Sequence, residues 1–311
     1  MSFAAKIKNE LARQEIKKKC CQKAELTALI HMNGSLQITA GQSMLNISTE
    51  NPAVARRMFL LFKKAYSVNS DIMVRKKIRL KKNNTYLVRV NDSEKAKEIL
   101  TSLDVLTSQY HFKKKISREI TVKKCCRRSY SRGVFLARGS VNNPDSSYHL
   151  EIRTEYEEQG QEVLHLLKSF NIESGLITRK NYFLVYLKDG QKIVEFLNII
   201  GAHQALFEYE NARIIKEMRN KINRLVNCET ANLNKTVNAA INQLESIKIV
   251  NQVLGLYNLP KSLKQIAELR VKYPEATLKE LGDMFDPPLS KSGVNHRLRK
   301  IEKLAQEILS K

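Results

Sequence analysis

Three sets of residues in this 311-residue chain could do chemistry. The first lies near the C-terminus: Ser290, Lys291, Ser292, Asn295, His296, Arg297, Arg299 and Lys300. On a helix these types suit a DNA duplex. Arg matches guanine and Asn adenine, Ser and Lys reach a base or a phosphate, and the helix start itself favours an anion. The second is Arg75, Lys77, Arg79 and Lys81. In a strand, period two puts all four on one face, with Val74, Ile78 and Leu80 on the other, although Lys76 interrupts the inner face. Such a strand could lie along phosphates, and an ordinary solvated sheet face has the same composition. The third is a pair of cysteine doublets, Cys20-Cys21 and Cys125-Cys126. Four thiols brought together would suit zinc. Adjacent cysteines do not readily share one ion and no CxxC spacing occurs, so the expected role is that of small buried apolar residues, with no metal. Cys228 stands alone, the six histidines form no HxH or HxxxH cluster, and neither GxGxxG nor GxxxxGK is present, so no cofactor is expected.

The basic run must be held by the elements before it. Thr277-Leu278-Lys279-Glu280 is a capping box, and its helix runs to about Phe285, burying Leu278, Leu281 and Phe285. Asp286-Pro287-Pro288-Leu289 makes a turn. Ser290 or Ser292 then caps a helix reaching about Leu309, with Val294, Leu298, Ile301, Leu304, Ala305 and Ile308 at helical spacing. A further helix runs from a Ser262 cap to about Tyr273, ended by Pro274, and Asn232–Leu254 forms another with Leu233, Val237, Ala240, Leu244, Ile247 and Val250 or Asn251 near one face. The arrangement is a helix-turn-helix whose second helix would present its N-terminal residues to the major groove. The alternative is a small trihelical interaction module with a solvated basic helix.

The rest of the chain is a repeat. At an offset of 105 residues, Lys18-Lys19-Cys20-Cys21 falls on Lys123-Lys124-Cys125-Cys126, Gly34-Ser35 on Gly139-Ser140, Leu45 on Leu150, Ile47 on Ile152, and Thr49-Glu50 on Thr154-Glu155. That is ten identities in 33 ungapped positions, where chance gives about two. Each copy reads as a helix ending at Gly-Ser, a hairpin, a helix, a second hairpin and a closing helix. In the first copy these are Ser35–Ala40 with Met44–Ser48, Asn51–Tyr66, Ile72–Leu80 with Thr85–Val90, and Ser93–Leu103. In the second, Glu155–Phe170, Ser174–Thr178 with Tyr182–Leu187, and Gln191–Ile200 follow the same plan. The fold class is α+β: a duplicated α-β-β-α-β-β-α domain over residues 1–210, with units of about 1–106 and 107–210. Residues 211–229 form a polar helical linker, and 230–311 an all-α helix-turn-helix domain with its motif at about 277–309.

Leu26-Thr27-Ala28-Leu29-Ile30-His31-Met32-Asn33-Gly34 resembles the nine-residue motif of LAGLIDADG homing endonucleases, and Ser131–Gly139 is a weaker copy. The resemblance implies two motif helices packed at a pseudo-twofold axis, where Ala28 and Gly133 allow close approach. It also implies an acidic residue at each helix end holding a divalent metal over the scissile phosphates. Here those positions are Asn33 and Arg138, a poor sole ligand and a fixed cation, so two-metal cleavage lacks its carboxylates. Arg138 could instead meet a phosphate. The nearest acidic substitutes are Glu155 and Asp145. The duplication combined with the helix-turn-helix, the stretch Pro287–Ile301 and the opening Phe3-Ala-Ala-Lys-Ile-Lys-Asn-Glu-Leu together resemble the WhiA family of bacterial regulators over nearly the whole chain. The resemblance implies a non-enzymatic transcription regulator acting in sporulation or, as the Lys- and Asn-rich composition favours, in cell division and chromosome segregation.

The bulk composition agrees. Lys and Arg number 54 against 31 Asp and Glu, a formal charge of +23 that attracts polyanions. Double-stranded DNA is the expected partner, with regulatory proteins as further candidates. No run approaches the ~20 apolar residues of a membrane span. The N-terminal residues lack the apolar core of a signal peptide, and an odd number of cysteines fits a reducing compartment. The expected location is therefore the cytoplasm, at the nucleoid. Two rival functions remain: an active metal-dependent homing-type endonuclease, which needs carboxylates near positions 33 and 138, and a protein-interaction adaptor whose charge is incidental.

Overall fold

The computed structural model describes residues 1–39, 42–76, 84–107, 109 and 111–310. It divides into two compact units, Met1–Glu217 and Met218–Lys311, each with its own apolar core.

The first unit opens with helix α1 (Phe3–Arg13), which sequence reasoning had not singled out. Ser2 caps it by accepting from the Ala5 amide at 3.2 Å, and Phe3, Ile7 and Leu11, four residues apart, are buried. Then come α2 (Lys19–Asn33), β1 (Gly34–Thr39), β2 (Gln42–Thr49), α3 (Pro52–Tyr66), β3 (Asp71–Arg75), β4 (Thr85–Val90) and α4 (Ser93–Ser102). After the short α5 (Arg118–Thr121) the order recurs as α6 (Lys124–Arg138), β5 (Gly139–Val141), β6 (Leu150–Thr154), α7 (Glu157–Lys168), β7 (Gly175–Arg179), β8 (Tyr182–Leu187) and α8 (Gly190–Ile200). Both sheets are antiparallel, with the same strand order, β1-β2-β4-β3 and β5-β6-β8-β7. The α-β-β-α-β-β-α plan is thus present twice. Local chemistry sets the boundaries. Asn51 caps α3 ahead of Pro52, Asp92 caps α4, Asp189 caps α8, and Gly201 at φ +87° ends α8 in the left-handed region.

Helices α2 and α6 pack against each other at the centre. A Cβ on Gly133 would lie 2.6 Å from the Glu25 carbonyl oxygen and 2.7 Å from Ala28 Cβ, so the bare backbone at 133 permits the approach. Glu25 is fully buried, and its carboxylate accepts from Arg57 Nε at 2.7 Å and Arg132 Nη1 at 3.2 Å. Arg57 also donates to the Gln14 carbonyl, and Arg132 Nε to the Ile200 carbonyl at 2.7 Å. A carboxylate out of water is tolerated because two guanidinium groups share it, each also anchored by one backbone carbonyl.

The basic strand departs from expectation. Val74 was assigned to the inner face but is 52% exposed, and all five residues of β3 are exposed. The reason is topology: β3 is an edge strand, paired only with β4, and the core beneath the sheet is filled by Leu45, Ile47, Val88 and Val90. Lys77, Ile78, Arg79, Leu80 and Lys81 lie outside the described residues, as do Ala40, Gly41 and Asn83.

Residues 211–229 and 232–254, read as a linker and a separate helix, belong to one helix, α9 (His203–Val253). Its start buries Ala205 and Tyr209 in the first core, and its end buries Gln243, Ile247 and Val250 in the second. Leu233 and Val237, expected on the buried face, are 63% and 46% exposed, because only the end of the helix meets the elements that follow. In the second unit these are a 3₁₀ turn at Leu256–Asn258, α10 (Lys261–Lys272), α11 (Leu278–Asp283) and α12 (Lys291–Leu309). The α10 cap position is Pro260, two residues before the expected Ser262, with proline's fixed φ replacing a side-chain cap. The Thr277–Glu280 capping box forms in full. Arg270, buried on α10, donates to the carbonyls of Pro274 (3.3 Å) and Ala276 (2.6 Å), tying down the turn into α11. No described helix is long and apolar enough to cross a membrane.

Candidate nucleic-acid interface

In the first unit α2 and α6 each run 15 residues, and each ends where its glycine, Gly34 or Gly139, donates back to the fourth residue before it. This equivalence brings Asn33 and Arg138 side by side on the wall of a cleft of about 1070 Å³, shared with Lys8, Glu50, Thr85 and Arg153. Asn33 Nδ2 donates to the Ser48 carbonyl at 3.0 Å and the Ala137 carbonyl at 3.5 Å, the latter across the pseudo-twofold. Arg138 Nε donates to the Met32 carbonyl at 3.2 Å, placing a cation at the C-terminal end of α2, where the helix dipole favours it. Its Nη2 donates to Glu155 Oε1 at 2.7 Å. Glu155, one of the two acidic substitutes expected from the sequence, is thus held by Arg138 and does not itself line the cleft, whereas Glu50 does. Asp145 does not line the cleft.

Lys8, on α1, was missed. The helix was unread, and a lone lysine in a basic chain gives no signal. Its ammonium is pushed down to about 8, chiefly by burial and then by Arg138, with Glu50 acting the other way. On this cleft wall the cations of Lys8, Arg138 and Arg153 outnumber the Glu50 carboxylate, a balance that suits an anion better than a cation.

The sheets of this unit turn one face away from their cores. On the first, Arg75 and Arg89 lie on that face, and Arg89 donates to Asn46 Oδ1 at 2.7 Å. On the second, Arg153 stacks 4.1 Å over the Tyr182 ring, and Lys188 lies 5.2 Å from the Tyr186 ring. Of the four expected phosphate-facing residues of the basic strand, only Arg75 falls within the described residues, and it is exposed.

In the second unit Val294, Leu298, Ile301 and Ala305 of α12 are buried against α10 and α11. Ser290 caps the helix by accepting from the Gly293 amide at 3.2 Å, and its hydroxyl lies 3.0 Å from that of Ser292. Opposite the buried row, Ser292, His296, Arg299 and Lys303 follow at steps of four, three and four, all exposed, with Lys291 and Lys300 beside them. Lys303 carries no sequence signal of its own, because base contacts are expected in the first turns of a recognition helix and it lies three turns in. Asn295 and Arg297 are half-buried on opposite flanks of this row, and Arg297 lies 5.2 Å over the Phe285 ring. The turn before α12 needs a glycine: a Cβ at Gly282 would sit 2.1 Å from the Leu289 carbonyl oxygen, which follows the Leu289 amide's 2.9 Å bond to the Gly282 carbonyl.

At the opposite ends of α2 and α6 from Asn33 and Arg138 the two cysteine doublets meet, and all four sulfurs lie within 4.8 Å of one another. Cys21 and Cys126 are buried, Cys20 and Cys125 half-buried. Burial pushes the Cys21 and Cys126 thiols up, while a hydrogen bond from Cys21 holds Cys125 down.

These features define a duplicated LAGLIDADG-type fold with altered helix ends, joined in one chain to a helix-turn-helix. Family models match in the same order: a WhiA N-terminal LAGLIDADG-like domain over residues 19–106, a WhiA LAGLIDADG-like domain over 127–219, and a WhiA C-terminal HTH domain over 222–305. The chain belongs to the WhiA family. It is 52% identical over 310 residues to a protein of Bacillus subtilis strain 168 named probable cell division protein WhiA, covering 99% of this chain and 97% of the relative. A Natranaerobius thermophilus protein of the same name is 49% identical over 308 residues, covering 99% and 96%. The crystal structure of full-length WhiA from Thermatoga maritima superposes with a TM-score of 0.62 at 28% identity, covering 99% of both chains.

Proposed function

We propose that this chain is a non-cleaving, sequence-specific DNA-binding regulator of cell division that acts on transcription and chromosome segregation, in the cytoplasm at the nucleoid. The observation that carries the proposal is the exposed row Ser292, His296, Arg299 and Lys303 on a helix capped by Ser290 and packed as the second helix of a helix-turn-helix. A helix so held can enter a major groove, with its first turn and Lys291 directed at phosphate. The net charge of +23 supplies the long-range attraction. The relatives' name supports the cell-division role. In the first unit, Arg138 closed on Glu155 and Asn33 in place of a carboxylate support binding without hydrolysis. The arginines on the open sheet faces are candidates for phosphate contact, together with Lys77, Arg79 and Lys81 of the basic strand.

The test is fluorescence anisotropy of the full chain on promoter and random duplexes across a salt titration, with a parallel Mg²⁺ cleavage lane. Tighter binding to a subset of promoters, lost when Ser292, His296 and Arg299 are replaced by alanine, with no cut product, is the expected result. Chelator-sensitive nicking would restore the endonuclease, and equal weak binding to every duplex would favour the adaptor.

A further inference from the structure

We propose that Cys20, Cys21, Cys125 and Cys126 form a tetrathiolate site for a structural zinc ion that clamps the N-terminal ends of α2 and α6 across the pseudo-twofold. The juxtaposition is the first argument. Four sulfurs from two segments 105 residues apart in sequence all lie within 4.8 Å of one another, and the Cys125 and Cys126 sulfurs are 4.0 Å apart. In a tetrahedral zinc site with bonds of about 2.3 Å, every pair of sulfurs is about 3.8 Å apart. Closing the observed cluster onto an ion therefore needs movements of about 1 Å or less at the side-chain tips. The objection that neighbouring cysteines do not readily share an ion is met by this geometry, since the Cys125–Cys126 separation is already close to a tetrahedral edge.

The surroundings suit the charge. Binding replaces four S–H bonds by four Zn–S bonds and releases four protons to solvent, leaving a centre of net charge −2. Both doublets sit in the first turn of their helices, where unsatisfied amides favour negative charge, and neither cap residue, Lys18 or Lys123, supplies a side-chain cap. Lys18, Lys19, Lys123 and Lys124 flank the doublets. Among the described residues no carboxylate or imidazole joins the cluster, so the donor set is purely soft, which selects zinc over magnesium or calcium. The position is distinct from the endonuclease-type metal position: Cys20 and Asn33 are 13 residues apart on one helix, about 20 Å along its axis. The site would fasten the two halves at one end of the central helix pair while the other end faces the cleft.

The test begins with the full unsubstituted chain, purified under reducing conditions and analysed for bound metal, then stripped and titrated with cobalt(II). About one zinc per chain and the intense charge-transfer and d–d absorption of tetrahedral cobalt thiolate are expected. Cys125→Ser, at a half-buried position, should lose the bound zinc and change the cobalt spectrum while circular dichroism stays native, and Cys228→Ser should leave both unchanged. Zinc well below one equivalent with no cobalt thiolate band would overturn the proposal. So would an intact mass, taken without reductant from freshly purified protein, lower by two hydrogens per cysteine pair, which would make the cluster a disulfide pair. The cobalt titration of the unsubstituted chain decides the matter even if a substituted chain fails to fold.

Discussion

Gly133 on α6 meets Ala28 on α2 so closely that a Cβ at position 133 would stand 2.7 Å from the Ala28 Cβ. Real side-chain atoms do not approach to that distance, and the other near neighbour, at 2.6 Å, is the Glu25 carbonyl oxygen, which belongs to backbone and cannot rotate away. Gly133→Ala should therefore lower stability by about 1–3 kcal/mol, although alanine is the better helix former. Urea unfolding of the full chain measures this, and a gain in stability would mean that the central helices are less tightly apposed than described.

The Arg138–Glu155 pair is partly solvated, with side chains 28% and 56% exposed, so breaking it should cost less than about 1 kcal/mol. The pair also keeps a guanidinium beside Asn33 at the ends of the two central helices. Replacing Asn33→Asp and Arg138→Asp together adds two carboxylates to a cleft that Glu50 already lines, with Glu155 beside them. The doubly substituted chain should be less stable without divalent ions by about 1–2 kcal/mol and regain stability as Mg²⁺ is added, while the unsubstituted chain's Tm stays flat. A flat response in both would place the helix ends too far apart to share an ion.

His31, buried beside α6 with its Nδ1 2.7 Å from the Tyr130 hydroxyl, gives a pH prediction. Burial holds its imidazole down to about 4, with the Lys113 backbone and Asp104 pulling weakly upward. An unfolded histidine titrates near 6.5, so between about pH 6.5 and 4 the unfolded chain binds the extra proton. Stability is therefore complete above this window and falls as the pH drops through it, by up to about 3 kcal/mol. Urea midpoints at several pH values, compared with His31→Gln, check the sign. The substituted chain should show a shallower acid slope, and an identical slope would show that other groups carry the acid sensitivity.

On α12 the exposed row predicts an order of effects. Arg299→Ala should cost about 1–3 kcal/mol in specific binding and change the preferred bases. Lys303→Ala should weaken binding to every duplex and lower the log–log salt slope by about 0.9 if it meets one phosphate. Arg297→Ala, whose guanidinium lies over Phe285, should cost less in binding and some domain stability. A larger loss of base preference at Arg297 than at Arg299 would mean that the flank, not the row, faces the groove.

Much of this architecture is written locally in the sequence. The 105-residue repeat is read by laying one copy on the other, and the hairpins, the capping box at Thr277 and Glu280 and the apolar spacing along α12 depend on residues within a few positions of one another. What was not legible depends on chain segments that meet only after folding. Val74 does share the core-side face with Ile72 and Val88, but it stays exposed because β3 is an edge strand, and strand order is not encoded in the strand. Leu233 and Val237 have apolar spacing but no neighbour to bury them, so periodicity alone could not tell a buried stripe from an exposed one. Lys8 beside Arg138 and the convergence of four cysteine sulfurs arise from the packing of α1, α2 and α6, and the closure of Arg138 on Glu155 from the packing of α6 beside β6, none of which short-range spacing encodes. The sequence by itself determined which elements form and what their ends carry, because hydrogen bonding and hydrophobic period act over short range. Tertiary structure alone decided which of those ends stand together and which faces stay open, because side-chain packing and desolvation act between segments remote along the chain.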